Sequence, residues 1–361
     1  MKIFRSIIKH ILLIINILVA VGYLFGVFST FVPPYRIVFF SYFGLIFPFF
    51  AAANIFFVIF WAIRKKWIVL ISTLLLIFTY SHLNNCFTIP YASFHKHNYK
   101  QEIKILTYNI SALGKLHIEH AQDFFKFIDE VDADIVCFQE FGYYAEADRD
   151  IFLAEMKKHY PYSHIWYKNQ QKTYSWGVAT FSKFPIIFKK KIDFDSKYNV
   201  SIFSDIVVKQ DTIRIFNNHL ESNKFSLWDI RKYQNVGKEF SGSELKGVSS
   251  LLSRKLADAY KIRAAQARIV EREIKHSPYK NIVCGDFNDV AESYVYSRIR
   301  DNLTDLYTAT EWGYRYTFYT KGMLVGIDHI LIDRSFEPLQ LKIPHKKFSD
   351  HYPVIGIFGI K

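Results

Sequence analysis

Residues 281–289 read Asn281-Ile282-Val283-Cys284-Gly285-Asp286-Phe287-Asn288-Asp289. A short apolar run that stops at polar, ionisable residues predicts a buried strand whose end carries chemistry. The same layout recurs in ILTYN ending at Asn109, DIVCFQE ending at Glu140, IRIFNNHLES with His219, and VGIDHILID with Asp328. A sixth segment, FSDHYPVI, sets Ser349, Asp350 and His351 just before a closing strand. Strand ends rooted in a rigid sheet hold side chains more firmly than loops do. Several such ends can therefore converge on one pocket.

Working outward, strands alternate with helices on both sides of this stretch. Lys104–Tyr108 and Ile135–Phe138 read as strands, Ile118–Val131 as a helix, and Trp176–Leu220 as several strands in succession. Arg254–Ile274 reads as a long amphipathic helix whose apolar face includes Leu256, Tyr260, Ala267, Val270 and Ile274. Arg263 lies on that same face and is its one misfit. Mixed order of this kind predicts an α/β fold with sheets covered by helices. The three cysteines form no CxxC pair, and Cys137 and Cys284 lie within apolar runs that predict buried, reduced thiols.

The first quarter of the chain has a different texture. Residues 11–32 and 37–63 are apolar apart from Arg36 between them, and each is long enough to cross about 30 Å of hydrocarbon. A third stretch, 67–86, is apolar to Tyr80 and then turns polar. This predicts a transmembrane region over residues 1–86, with two spans and an interfacial third helix as the alternative to three spans. Lys2, Arg5 and Lys9 precede the first stretch and Arg64-Lys65-Lys66 follows the second, which places the N-terminus in the cytoplasm. Three crossings then carry the remainder to the outer, periplasmic side of a multi-pass inner-membrane protein. Residues 87–102, polar and containing Pro90, read as a linker, and 103–361 as the catalytic domain.

Cleaving a phosphate ester requires a hard cation, a base for water, and donors for the charged transition state. Glu140 and Asn109 are suitable oxygen donors to Mg²⁺, with Mn²⁺ an acceptable substitute. His351 is the natural base and needs an acidic partner to fix its tautomer. Asn288 and His219 are suitable donors. Singly, each has an ordinary competitor: Asn109 as a turn residue, Glu140 as a solvated carboxylate, Asp289 as a helix cap, His219 and His329 as satisfied core histidines. Together, and in this order, the functional reading prevails.

The segments TYN, QE, NHLES, GDFND, IDHIL and SDHYPV resemble the endonuclease/exonuclease/phosphatase superfamily, in that family's order, across residues 103–361. The resemblance implies a four-layer α/β/β/α sandwich similar to deoxyribonuclease I, preceded here by the three-helix transmembrane region. It implies Glu140 as principal metal ligand, Asn109 in support of the metal site or of its bound phosphate, and Asp350 as a further residue near the metal. Asp286 would position the attacking water or share base duty, Asn288 would bind the phosphoryl oxygen, and Asp328 would orient His351. Which of Asp286 and His351 takes the proton stays open. His219 matches a histidine of the deoxyribonuclease I and sphingomyelinase branches, which turns the expectation away from DNA repair. Ser111 stands where some nucleases carry an aspartate, so a single-metal site, or one with a weaker second ion, is expected.

The formal net charge of +13 implies partners that carry negative charge. Between Asn223 and Lys255, basic residues (Lys224, Arg231, Lys232, Lys238) interleave with Trp228, Tyr233 and Phe240. Such a segment suits a lipid interface or single-stranded nucleic acid. A short tether would hold the catalytic domain near the bilayer and raise its effective concentration for lipid. The expectation is therefore a phosphodiesterase or phosphatase acting on lipid headgroups, with the bilayer as partner and no obligate protein partner. A surface-anchored nuclease is the rival, and a catalytically silent lipid- or partner-binding domain is the third reading.

Overall fold

The computed structural model describes residues 2–91, 99–111, 118–143, 146–171, 174–223, 242–320 and 323–361. Five helices come first: α1 (Lys2–Phe28), α2 (Phe39–Leu45), α3 (Phe47–Ile63), α4 (Val69–Phe78) and α5 (Tyr80–Cys86). The strands follow as β1 (Phe87–Thr88), β2 (Gln101–Asn109), β3 (Ile135–Tyr143), β4 (Tyr162–Gln171), β5 (Tyr174–Ser182), β6 (Ile186–Ile192), β7 (Ser201–Val208) and β8 (Asp211–His219). Later come β9 (Lys280–Asp286), β10 (Thr304–Asp305), β11 (Gly313–Tyr314), β12 (Phe318–Thr320), β13 (Met323–Val325), β14 (Asp328–Ile332), β15 (Glu337–Lys342) and β16 (Val354–Ile360). The remaining helices are α6 (Ile118–Val131), α7 (Glu146–His159), α8 (Gly242–Lys275), α9 (Tyr294–Arg300) and α10 (Leu306–Thr310).

Two six-stranded sheets dominate, ordered β15-β16-β2-β3-β5-β4 and β10-β14-β9-β8-β7-β6. Their apolar faces meet. Ile103, Ile105, Ile135 and Cys137 of the first sheet pack on Ile213, Ile215, Ile282, Cys284 and Ile330 of the second. Side chains alternate along a strand, so Leu106, Tyr108 and Phe138 point outward against Phe124, Phe127 and Ile128 of α6. On the far side Phe216, Val283 and Leu331 meet Ala267 and Val270 of α8 and Val295 and Ile299 of α9. The layers thus run helix, sheet, sheet, helix.

Gly285 has φ +124°, and a Cβ there would fall 2.1 Å from the carbonyl oxygen of Asn218 on the neighbouring parallel strand. Both the backbone angle and the space demand glycine. Gly285→Ala is expected to cost at least about 1 kcal/mol, read as a lowered thermal midpoint of the full-length chain in detergent.

Helix α1 supplies one segment, Ile3–Phe28, long and apolar enough to cross a membrane. It begins ahead of the expected 11–32 because the residues before Ile11 simply continue the helix, with Arg5 and Lys9 exposed. The other two expected spans are broken: α2 and α3 meet at 66°, and α4 and α5 at 81°. Hydropathy reads composition and passes over such bends. Inside the bundle, Asn16 Nδ2 donates to Ser72 Oγ (2.8 Å), Ser72 Oγ to Asn54 Oδ1 (2.9 Å) and Trp61 Nε1 to Asn16 Oδ1 (3.1 Å). Asn16, Asn54 and Ser72 are wholly buried, so these bonds tie α1, α3 and α4 together where no water competes.

The expected linker 87–102 is in part built into the fold. Phe87 and Thr88 pair antiparallel with Tyr314 and Gly313, and Gln101 already belongs to β2. Residues 92–98 of that stretch lie outside the described residues, as do 224–241 of the expected basic and aromatic segment, including Lys224, Trp228, Arg231, Lys232, Tyr233, Lys238 and Phe240.

Candidate active site

The inward-facing residues at the strand ends share two rungs. In the second sheet His219 is in register with Asp286, and Asp286 with Asp328. In the first, Asn109 is in register with Gln139. Below these positions a thin polar layer that includes Thr107 and Asn217 gives way to apolar core; at the rung the sheets run out of core and present polar groups to one another. A bulge between Gln139 and Phe141 inserts Glu140 with φ +50°, outside the usual range for a non-glycine residue. The bulge lets Phe141 return to the outer core while Glu140 turns to the mouth, its side chain retaining 20% exposure.

The polar groups make one connected set. Asn109 Nδ2 donates to Asp286 Oδ2 (2.9 Å) and to Glu140 Oε1 (3.1 Å). Asn109 Oδ1 accepts from the Ser111 amide, so the nitrogen, and not the oxygen expected as a metal donor, faces the carboxylates. Asp286 Oδ1 accepts from the Asn288 amide (2.7 Å), and Asn288 Nδ2 donates to Leu220 O (3.0 Å) and Asp286 Oδ2 (3.2 Å). Asn288 has φ +53°, a second strained residue at the site. His351 Nδ1 lies 2.8 Å from Asp328 Oδ2, leaving Nε2 3.7 Å from Asp286 Oδ2.

Charge follows from this enclosure. Burial opposes a charged His351, but Asp328 and then Asp286 outweigh it and lift its pKa to about 10. Burial raises the Asp286 carboxyl, with Asp328 adding to the effect and His351 opposing it. Burial also pushes Glu140 up to about 7, against the Asn109 hydrogen bond. His219 is held near 3 by burial and by the charge on His351, so it is neutral. Its Nε2 accepts from Asn199 Nδ2 (3.0 Å) and stands 3.5 Å from Glu140 Oε1.

Asp286, Asp328 and His351 bring ligand-type atoms within 4.8 Å of one another. Asp328 Oδ1 is buried with no hydrogen-bond partner among the described residues. An unpartnered carboxylate oxygen amid raised carboxyls is a donor set that fits a hard cation. Glu140 and Asp350 are not members of that close group. The Asp350 carboxylate accepts from Ser349 Oγ (3.1 Å) and its carbonyl from the Tyr319 amide.

Four contributors had no sequence signal that separated them from ordinary polar residues. Gln139 and Asn217 form a buried layer beneath the site, Gln139 Nε2 donating to Asn217 Oδ1 (2.8 Å) and Thr107 Oγ1 (3.0 Å). Asn199 sets the His219 tautomer. Thr317 Oγ1 accepts from the Ile327 and Asp328 amides, fixing the entry to β14. Arg263 did give a signal, as the charged misfit of an apolar helix face. It donates to Asp289 Oδ2 (3.3 Å) and Glu221 O (2.8 Å), clamping the loop beyond Asn288. Asp289 is therefore no helix cap; Ser293 caps α9.

A sequence profile described as Endonuclease/Exonuclease/phosphatase family matches residues 106–351. A second, Domain of unknown function (DUF8431), matches residues 9–86. No curated protein sequence matches the chain. Among solved structures, an endonuclease/exonuclease/phosphatase from Beutenbergia cavernae is similar with TM-score 0.52 at 14% identity, over 72% of this chain and 72% of that one. A family protein from Bacteroides thetaiotaomicron gives 0.50 at 16% identity, over 72% and 98%. TDP2 of D. rerio, complexed with single strand DNA product, gives 0.50 at 14%, over 72% and 100%. At such identities the likeness is one of fold.

Proposed function

The chain belongs to the endonuclease/exonuclease/phosphatase family, whose members are phosphoesterase hydrolases, and from that premise we propose a membrane-anchored, Mg²⁺-dependent hydrolase of lipid phosphate esters. The observation that carries the hydrolytic part is the meeting of two sheet ends: His219, Asp286 and Asp328 share a rung of the second sheet, Asn109 faces Asp286 from the first, and Glu140 and His351 close over them.

A bound Mg²⁺ supplies charge neutralisation at the non-bridging phosphate oxygens, and Mn²⁺ suits the same oxygen-rich donors. Glu140 at the mouth and the Asp286 carboxylate are the groups to hold it, with Asn109 bracing both through its amide nitrogen. Asp350 stands further off and contributes field. Asp328 fixes one proton on His351 Nδ1, so Nε2 is the atom that would take a proton from water, once the charge of a bound cation has offset the carboxylates that keep a second proton on the resting imidazole. Asp286 faces that atom across 3.7 Å, room for a bridging water that the carboxylate orients. Asn288 Nδ2 is available to a phosphoryl oxygen once it leaves Leu220 O. His219, neutral, closes the wall opposite.

The lipid part draws support from the position of the helical region. Ser29 Oγ donates to Glu292 O (2.8 Å) and Tyr42 Oη to Ser253 O (2.9 Å), so the apolar helices pack against the loop that follows Asn288 and against α8. We read α1, the α2–α3 pair and the α4–α5 pair as three crossings of the inner membrane, with a cytoplasmic N-terminus and the site on the outer side. Full-length protein assayed with Mg²⁺ on phospholipid vesicles and on plasmid DNA tests the choice. Released headgroup with intact plasmid is expected; plasmid nicking with intact lipid would make it a surface nuclease.

A further inference from the structure

The predicted linker would leave the catalytic domain swinging on a tether, with the helices as a passive anchor. The contacts describe something firmer. We propose that Glu292 is a positioning residue for the active site: through it the N-terminal helices hold the loop 287–293, and with it Asn288, in working geometry.

Glu292 lies four residues beyond Asn288, and its side chain is 3% exposed. Among the described residues, the hydrogen bonds to its carboxylate come from α5. His82 Nδ1 stands 2.8 Å from Oε2 and Asn85 Nδ2 donates to Oε1 at 2.9 Å, from 210 and 207 residues away in sequence. Local turn chemistry therefore has no part in it. The backbone is gripped as well: Ser29 Oγ donates to Glu292 O, and a Cβ on Gly44 would fall 2.3 Å from that same oxygen. Asn85 Oδ1 also accepts from Arg300 Nη1 (2.8 Å), which ties the helix after the loop to the same residue of α5.

From the opposite side the loop is held by the catalytic domain itself. Arg263 donates to Asp289, His329 Nε2 donates to Asp289 O (3.0 Å), and the Phe287 amide donates to Ile327 O (2.9 Å). Asn288, at φ +53°, lies between the catalytic-domain grips on Phe287 and Asp289, and the helices' grip on Glu292 follows three residues after Asp289. A non-glycine residue keeps that conformation only when its surroundings enforce it. A buried carboxylate is costly unless paired, and a mere anchor has no need of one beside the catalytic loop. Its partners make the helices part of the site's support.

The test uses full-length protein in detergent micelles, with Mg²⁺ and the soluble diester bis(p-nitrophenyl) phosphate, so that delivery to a bilayer plays no part. Glu292→Ala and the double variant His82→Ala/Asn85→Ala should exchange amide hydrogens faster across 287–293 while β8 and β9 stay protected. Their kcat should fall about tenfold with KM within about twofold. Glu292→Gln, which keeps an acceptor for Asn85 and a polar group facing His82, should restore most of both. Unchanged exchange in the loop, a loosened loop with unchanged kcat, or a Gln substitution as harmful as Ala would each overturn the proposal. It rests on the proposed hydrolysis only for the turnover arm. A wild-type chain that cleaves no phosphate ester defeats that reading instead, and exchange across 287–293 then decides the role of Glu292 alone.

Discussion

His351→Ala should lower turnover by at least about a hundredfold while leaving the fold in place. Three features make the imidazole the group to lose. Its Nδ1 is committed to Asp328, so Nε2 alone faces the site, and the nearest charged atom it meets there is Asp286 Oδ2. The remaining histidine of the cluster cannot replace it, because His219 is neutral with Nε2 already accepting from Asn199. The backbone at His351 carries only a bridge to Phe318 and no sheet ladder, so truncation there leaves β16 intact. The catalytically silent reading predicts the opposite, with wild type and variant alike.

The same residue has a signature in stability that activity assays miss. Asp328 and Asp286 raise the His351 pKa from 6.5 to about 10 despite burial. A raised value means that the folded state binds the proton more tightly. Its contribution is fully present below about pH 6.5 and is lost as pH rises through 10. In chelator, the wild type should therefore melt above His351→Ala by a margin that is constant at acidic pH and closes toward pH 10. A margin independent of pH would mean that His351 is not charged at rest.

Much of this site was legible in the sequence because its residues end strands. Asn109, His219 and Asp286 each close a strand and Asp328 opens one, and alternation fixes which face they occupy. The facing of Glu140 was not legible, since a bulge breaks the alternation there and period-2 reading would turn its side chain outward. The polar layer of Gln139 and Asn217 looks in sequence like any pair of amides; only the stacking of two sheets makes them partners. Asp289 was read locally, as a helix cap, and Glu292 gave no signal at all, whereas Arg263 and α5 reach them from far along the chain. The bend at Ile46 was hidden because both flanks are equally apolar, and at Thr79 the polar turn of the sequence after Tyr80 marked a change of character but not the bend itself. What failed were the relations between distant segments.

Glu140→Gln should raise the Mg²⁺ concentration needed for half-maximal turnover by roughly tenfold or more, with the fold intact. The substitution keeps shape and hydrogen bonding, since the new amide oxygen can still accept from Asn109, and removes only the charge at the mouth. Glu140 keeps partial exposure where Asp286 and Asp328 are buried, so of these three an arriving cation meets it first. The pH dependence separates a ligand from a bystander. Burial lifts the Glu140 carboxyl to about 7, so below that pH a proton competes for the oxygen that would hold the metal. Wild-type Mg²⁺ affinity, measured by calorimetry, should therefore weaken as pH falls through 7. In the variant the side chain has no proton to give up, and that slope should flatten. An equal slope in both proteins, or an unchanged Mg²⁺ requirement, would move the cation away from Glu140. The Asp286–Asp328–His351 group would then be left as its holder, in conflict with His351 serving as a free base.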